Sequence, residues 1–298
     1  NGTLQRNLDK LLVKIDVSKG GIPNDFALLS RPVPVKALQL HTVWPSGWHP
    51  RPCDIGELIS PTMLPSLEKL HVRYEGLKRW ADGLPAFLGR LPQLTTLAIS
   101  HSHWNCADAP LDTTWITDLL RICPSLRTLD VCGCRENLAL KGLGVASHGL
   151  ETICCKCSCL VPGDYEHLMA RLPRLKLLVS TSVDCDFAKS GIYEAFLMNW
   201  LGFLAADWKH SVTLVEYIVY RPHRVTEQSA RISQLVEDVT QKKSFVVVEA
   251  NPTENLPLAT SPDSYASWKL TRGNATVVVD CWASAVEHVV CDVRREFL

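Results

Sequence analysis

Cys123-Pro124-Ser125-Leu126-Arg127-Thr128-Leu129-Asp130-Val131-Cys132-Gly133-Cys134 is the stretch that decides how this chain folds. Leu126, Leu129 and Val131 stand at offsets 0, +3 and +5, and the small Cys134 follows three residues later. Leu129 and Val131 flank Asp130, the period-two alternation of a short strand with one buried side. A small, weakly polar residue after such a strand suits a tight turn whose inside has little room. One copy of this frame carries little weight, and the rest of the chain repeats it.

The same offsets are met by Leu12, Ile15 and Val17, then by Val35, Leu38 and Leu40, by Leu67, Leu70 and Val72, and by Leu94, Leu97 and Ile99. Past the opening stretch come Leu150, Ile153 and Cys155, and then Leu175, Leu178 and Ser180, where the last position is polar. Successive starts lie 23 to 32 residues apart. Four units carry an upstream apolar-Pro-x-Leu signature: Leu64-Pro65-Ser66-Leu67, Leu91-Pro92-Gln93-Leu94, Cys123-Pro124-Ser125-Leu126 and Leu172-Pro173-Arg174-Leu175. Proline there stops a preceding helix, because it lacks an N–H and disfavours helical geometry in the residue before it. Helical patterns fill the gaps: Glu75 to Arg90, Asp112 to Ile122 with Trp115, Ile116, Leu119 and Leu120 on one face, and Asp164 to Arg171. Each unit is therefore a strand with a returning helix, which cannot bury its own apolar face and must stack on its neighbours.

The Pro- and Trp-rich residues 41–63 read as a longer loop between the second and third units. The frame fades after about residue 185. Beyond it the spacing predicts a helix over Ile192–Trp208, a strand through Leu214, Tyr217 and Val219, and a helix over Thr226–Thr240. A strand at Ser244–Glu249, a helix near Pro262–Leu270, a strand at Ala275–Asp280 and a last helix from Cys281 complete the pattern. We divide the chain into a repeat region, residues 1–185, and an irregular C-terminal cap, 186–298, that continues the sheet.

Composition narrows the function classes. Lys plus Arg and Asp plus Glu number 31 each in 298 residues, which gives no overall electrostatic footprint for nucleic acid or a membrane surface. The most apolar run, Ala195–Ala206, contains Asn199 and is too short to span a bilayer. Twelve cysteines, seven of them bunched over 123–159 at core-like positions, point to a reducing cytoplasmic or nuclear setting rather than to a disulfide framework. Asn1-Gly2-Thr3 and Asn274-Ala275-Thr276 match the glycosylation sequon, but no signal segment opens the chain.

The frame resembles the leucine-rich repeat, and Cys123 to Cys134 is close to the cysteine-containing type found in F-box proteins. The resemblance implies an α/β solenoid, a horseshoe with parallel strands on the concave face and helices on the convex face. The C-terminal part is similar to the ending of basidiomycete fungal F-box proteins, in which a strand such as Phe245-Val246-Val247-Val248 precedes a Trp-bearing helix and a second Trp, here Trp282 in Cys281–Glu287, opens the last helix. What this kinship implies is a non-enzymatic substrate receptor for a ubiquitin ligase, with no cofactor and no metal. Its partners would be a protein on the concave face and a Skp-type adaptor. The adaptor needs an F-box, which is not seen in these residues and is expected upstream of Asn1.

Residues between the apolar anchors point away from the core and line that face. They give the candidate partner-binding set: Glu68, Thr95, Arg127 and Glu151 at +1; Gln39, His71, Asp130 and Cys154 at +4; His41, Arg73, Ser100, Cys132 and Lys156 at +6. Arg127 should be exposed, so that truncating it costs under ~0.5 kcal/mol. Three alternatives compete with a scaffold. Cys132, Cys154, Cys157 and Cys159 could hold zinc, although they lack paired C-x2-C spacing. His101, His103 and Cys106 form a smaller metal-like group without a fourth ligand, and Cys106 has no evident base to make it a nucleophile. A free-standing repeat scaffold unrelated to ubiquitin also fits.

Overall fold

The structure, a computed structural model, describes residues 10–16, 32, 34–43, 60–74, 85–101, 113–131, 148–155, 162–183, 190–220, 225–242, 246–250 and 264–283. It is an α/β protein whose strands are mostly parallel. The chain forms two compact units, residues 1–136 with 142–150, and residues 137–141 with 151–298.

The first unit carries β1 (Lys10–Asp16), β2 (Ala37–Val43), β3 (Lys69–Tyr74), β4 (Thr96–His101), helix α1 (Thr113–Ile122) and β5 (Thr128–Asp130). Its strands pair in sequence order, all parallel. Register aligns the +3 leucines into one cross-strand row: Leu38 with Leu70, Leu70 with Leu97, Leu97 with Leu129. All four are buried, as are the offset-0 residues Val35, Leu67, Leu94 and Leu126. Parallel strands stacked this way share one apolar row, so no single unit can expose its leucines without opening its neighbours.

The first frame needs correction. Leu11 pairs with Leu38 and Val13 with Leu40, so Leu11 and Val13 take the +3 and +5 places expected for Ile15 and Val17. The spacing was ambiguous because Leu11, Val13 and Ile15 recur every second residue, so the frame fits equally well four residues apart on the same face, and only pairing resolves it.

The apolar-Pro-x-Leu signature is a turn with a fixed hydrogen bond. The N–H of Leu67, Leu94, Leu126 and Leu175 donates to the carbonyl of Leu64, Leu91, Cys123 and Leu172, at 3.2, 3.1, 3.1 and 3.0 Å. Proline sits second in each turn, where its fixed φ is already correct and its missing N–H is not needed. Where helices precede the turn they end cleanly: the N–H of Cys123 closes on Leu119, and that of Leu172 on Leu168.

The second unit contains β6 (Thr152–Cys155), α2 (Pro162–Arg171), β7 (Leu177–Val183), α3 (Ser190–Ala205), β8 (Val212–Tyr220), α4 (Val225–Lys242), β9 (Val246–Ala250), β10 (Ser264–Arg272) and β11 (Ala275–Ala283). Its strand order is β6-β7-β8-β11-β10-β9. The leucine row recurs, with Ile153 beside Leu178, Leu178 beside Leu214, and Leu214 beside Val277. Helix α3 packs against α2 and α4 and lies on β10 and β11. Tyr165, Phe203 and Trp208 meet at its C-terminal end, with ring centroids 5.1 to 6.2 Å apart. The Trp208 indole N–H donates to the Phe203 carbonyl at 2.9 Å.

Residues 264–272 are a strand, not the expected helix, and Cys281–Ala283 continue β11 rather than open a helix. Trp268 therefore sits in β10, which departs from the Trp-bearing helix that the C-terminal resemblance implies. β10 and β11 form an antiparallel hairpin across Gly273-Asn274, with Gly273 at φ 55°. A Gly-Asn pair between two half-apolar runs is a hairpin signal, because glycine takes positive φ without steric cost. Asn274 fastens this turn to the start of β8: its carbonyl accepts the Val212 N–H at 2.8 Å, and its side-chain amide donates to the Trp208 carbonyl at 2.8 Å.

Two substitutions test the frame. Leu129 is 1% exposed, so Leu129→Asp loses core packing and buries an unpaired carboxylate; urea unfolding should record a loss of ~3 kcal/mol or more. An unchanged midpoint would contradict the shared leucine row. Arg127 is not the bystander its spacing suggested. Its Nη1 donates to the Gly149 carbonyl at 2.8 Å, and a methyl group on Gly149 would meet that nitrogen at 2.1 Å. Losing a charge-assisted bond at a half-buried site should make Arg127→Ala cost about 1 kcal/mol in the same measurement.

Candidate partner-binding face

Alternation along each strand assigns one sheet face to the +3 and +5 residues and the opposite face to +2, +4 and +6. Register then sorts the candidate residues. On the opposite face of the first unit, Gln39, His71, Ala98 and Asp130 form one row. His41, Arg73 and Ser100 form the next row, placed here by backbone register alone. Gln39 and His71 are half-buried, whereas Asp130 is 8% exposed. In the second unit Cys154 pairs with Val179 and is 3% exposed. Asp130 and Cys154 thus lie on the expected face yet offer almost no surface to a partner. Cys132 and Lys156 lie outside the described residues.

The +1 residues are displaced from where the frame put them. Glu68, Thr95, Arg127 and Glu151 each stand one residue ahead of a strand, at its entry. Their side chains run sideways to the neighbouring unit. Lys36 Nζ lies 3.6 Å from Glu68, Thr95 Oγ1 donates to the Glu68 carbonyl at 3.1 Å, and Arg127 reaches Gly149. In the second unit Lys176 Nζ lies 2.6 Å from Glu151. These exposed pairs contribute only ~0.2–1 kcal/mol each. They keep like charges apart along the ladder of strand entries.

His148 occupies the place that proline holds in the four signature turns. It is buried, and its Nε2 lies 3.1 Å from the Cys123 carbonyl of the preceding turn. Burial lowers its pKa, the contact with Cys123 opposes that, and Arg127 adds to it. The imidazole is thus held neutral as a cross-unit tie.

The thiol alternatives find no support among the described residues. Cys123, Cys154, Cys155 and Cys281 are all buried thiols. Burial pushes the Cys123 thiol up to about 11 and raises that of Cys281 as well, so neither supplies a thiolate nucleophile near neutrality. No three His, Cys, Asp or Glu side chains among the described residues are grouped to hold a metal. Cys157, Cys159, His103 and Cys106 lie outside those residues, and His101 is described only as backbone.

A polar cluster that the frame did not anticipate lies in the core of the second unit. Ser180, the imperfect +5 residue of β7, pairs in register with Glu216 on β8. Glu216 is 1% exposed. Asn199 of α3 donates to Glu216 Oε1 at 3.1 Å, and the Tyr165 hydroxyl of α2 donates to Asn199 Oδ1. Burial pushes the Glu216 carboxyl up to about 7, opposed by Ser180, Trp200 and Asn199. The sequence signal was the polar residue at +5 of one unit, which called for a polar residue at +5 of the next. On the opposite face Asp280 is fully buried, its Oδ1 accepting from Ser267 Oγ at 2.5 Å, and burial likewise raises its pKa.

Among the described residues no helix is long and apolar enough to cross a membrane. Compared with known proteins, the chain matches no family model and no curated protein.

Glu216 yields a pH prediction. Unfolded, it loses its proton near 4.5; folded, it keeps it to about 7. The folded state holds the extra proton between those values, so this group lowers stability as pH rises from 4.5 to 7, by about 3 kcal/mol in all. Glu216→Gln should be more stable than the parent chain at pH 8, with the advantage fading toward pH 4.5. Hydrogen exchange of the β8 amides in both proteins measures it. A parent-minus-variant difference that stays flat across this range would exclude an ionising Glu216.

Proposed function

We propose that this chain is a non-enzymatic protein-interaction scaffold, built as a leucine-rich-repeat solenoid, and that it serves as the substrate-recognition part of an F-box ubiquitin-ligase receptor. The observation that carries the repeat reading is one backbone pattern copied from unit to unit. The Lys36 carbonyl accepts the N–H groups of both Glu68 and Lys69, the Glu68 carbonyl those of Thr95 and Thr96, and the Thr95 carbonyl those of Arg127 and Thr128. The Glu151 carbonyl accepts those of Lys176 and Leu177 in the same way. Repeated units of this kind gain a continuous face that reads a partner through residues from several strands at once, without a local motif.

In this reading the partner protein rests on the face opposite the leucine row, where Gln39 and His71 are part-exposed and His41, Arg73 and Ser100 hold the neighbouring register positions. The ubiquitin role draws on the likeness of Cys123–Cys134 to F-box repeats. That role requires an F-box for the adaptor contact.

Affinity purification of the full-length protein tests the assignment. Retention of a Skp-type adaptor is expected. Its absence, with the chain folded, would leave a repeat scaffold outside ubiquitin transfer.

A further inference from the structure

The observed register changes the charge of the binding face. With Leu11 and Val13 on the leucine side, the residues that β1 places on the opposite side are Lys10, Leu12 and Lys14. Pairing then assembles three rows across β1, β2 and β3. Lys10, Ala37 and Lys69 form the first, Leu12, Gln39 and His71 the second, and Lys14, His41 and Arg73 the third. Of these nine positions four are Lys or Arg, two are His and none is acidic. Lys69 is exposed and His71 part-exposed. The nearest acid at the strand entries, Glu68, lies 3.6 Å from Lys36, which offsets its charge. Asp16, paired with Val43, continues this face one position past Lys14 and is the one acid that β1 adds to it, and Asp130 two strands away is buried.

We infer that the β1–β3 part of this face takes an acidic segment of the partner protein. The inference deepens the binding role proposed above and rests on it. Two inter-strand spacings by four residues span about 10 Å by 13 Å, room for three or four residues of an extended peptide. A basic patch of that size gives an acidic segment both attraction and orientation. A nucleic acid fits less well. Its backbone would outrun the patch, the chain as a whole has equal numbers of acidic and basic residues, and no Phe, Tyr or Trp stands in the nine positions to stack a base.

Fluorescence anisotropy with the 298-residue chain tests this, using a labelled octapeptide of Asp and Glu, its Asn/Gln counterpart and a single-stranded RNA octamer as probes. The acidic peptide should bind, weaken as salt rises from about 50 to 300 mM, and lose ~10-fold or more in affinity in the Lys69→Glu/Arg73→Glu double variant. Lys209→Glu, a charge reversal on an exposed side chain of the second unit, should change nothing. Circular dichroism and urea unfolding establish that the variants remain folded. If Lys69→Glu/Arg73→Glu unfolds the chain, Lys69→Gln replaces it and should still weaken binding.

Equal binding of the neutral peptide, full affinity in the folded variant, or RNA binding as tight as the acidic peptide overturns the inference. If no peptide binds while the full-length protein still retains the adaptor, the acidic-partner reading fails and the receptor role stands. If the adaptor is absent while the acidic peptide binds through Lys69 and Arg73, the reverse holds.

Discussion

One carbonyl holding two N–H groups of the next unit is the constraint on which the rest depends. It lies just ahead of a strand, at Lys36, Glu68, Thr95 and Glu151, and it fixes the neighbour's register before that strand begins. A shift by one residue would move every leucine to the opposite face. At Glu68 and Thr95 the proline turn immediately upstream delivers the chain to this point at a set distance from the offset-0 residue. Turn and shared carbonyl therefore act in series: the turn sets the phase of the apolar pattern, and the carbonyl transmits that phase sideways. Burial of Leu38, Leu70, Leu97 and Leu129 in one row is the consequence.

This also explains how far the sequence could be read. Where Pro stands two residues before the offset-0 leucine, the predicted frame and the observed register agree, because the phase marker is local. At β1 there is no such marker, and the apolar run from Leu11 to Ile15 fits two frames four residues apart. The error reached the functional reading. The misplaced frame counted only Asp16 among the charges of β1 on the outward face, whereas pairing adds Lys10 and Lys14 on that same face, in rows with Lys69, His41 and Arg73. A face that looked mixed in the sequence is basic at one end. Charge on a sheet face is a property of pairing, and no single strand contains it.

The second limit is exposure. Periodicity assigned Asp130 and Cys154 to the outward face, and alternation in the structure agrees, yet both are buried. Period two tells which side of a sheet a residue takes and says nothing about what covers that side. The β10–β11 hairpin failed for another reason. Its Gly273-Asn274 turn was visible as a dipeptide, and Trp268 and Leu270 stand two apart, the period of a strand rather than of the helix expected near Pro262–Leu270. Here turn chemistry was the stronger signal, because a two-residue link between paired strands leaves few other conformations.

Helix α3 shows why a buried carboxyl persists inside a unit otherwise held by leucine. Its sequence, Ser190 to Ala205, is apolar on nearly every side, so no narrow stripe dictates which side faces the sheet. Asn199 is buried within it, and its amide can donate to Glu216 while accepting from Tyr165 only when that turn of the helix lies between α2 and β8. Rotating α3 by one residue, about 100°, would strand three buried polar groups, at about 1–3 kcal/mol each, on top of any change in apolar contact. Glu216 costs stability whenever it ionises, but with Ser180 beside it and Asn199 above, it supplies the rotational reference that an all-apolar helix lacks. The polar break in the +5 row at Ser180 is thus the point where the second unit ceases to be a generic repeat and fixes one arrangement of its helices.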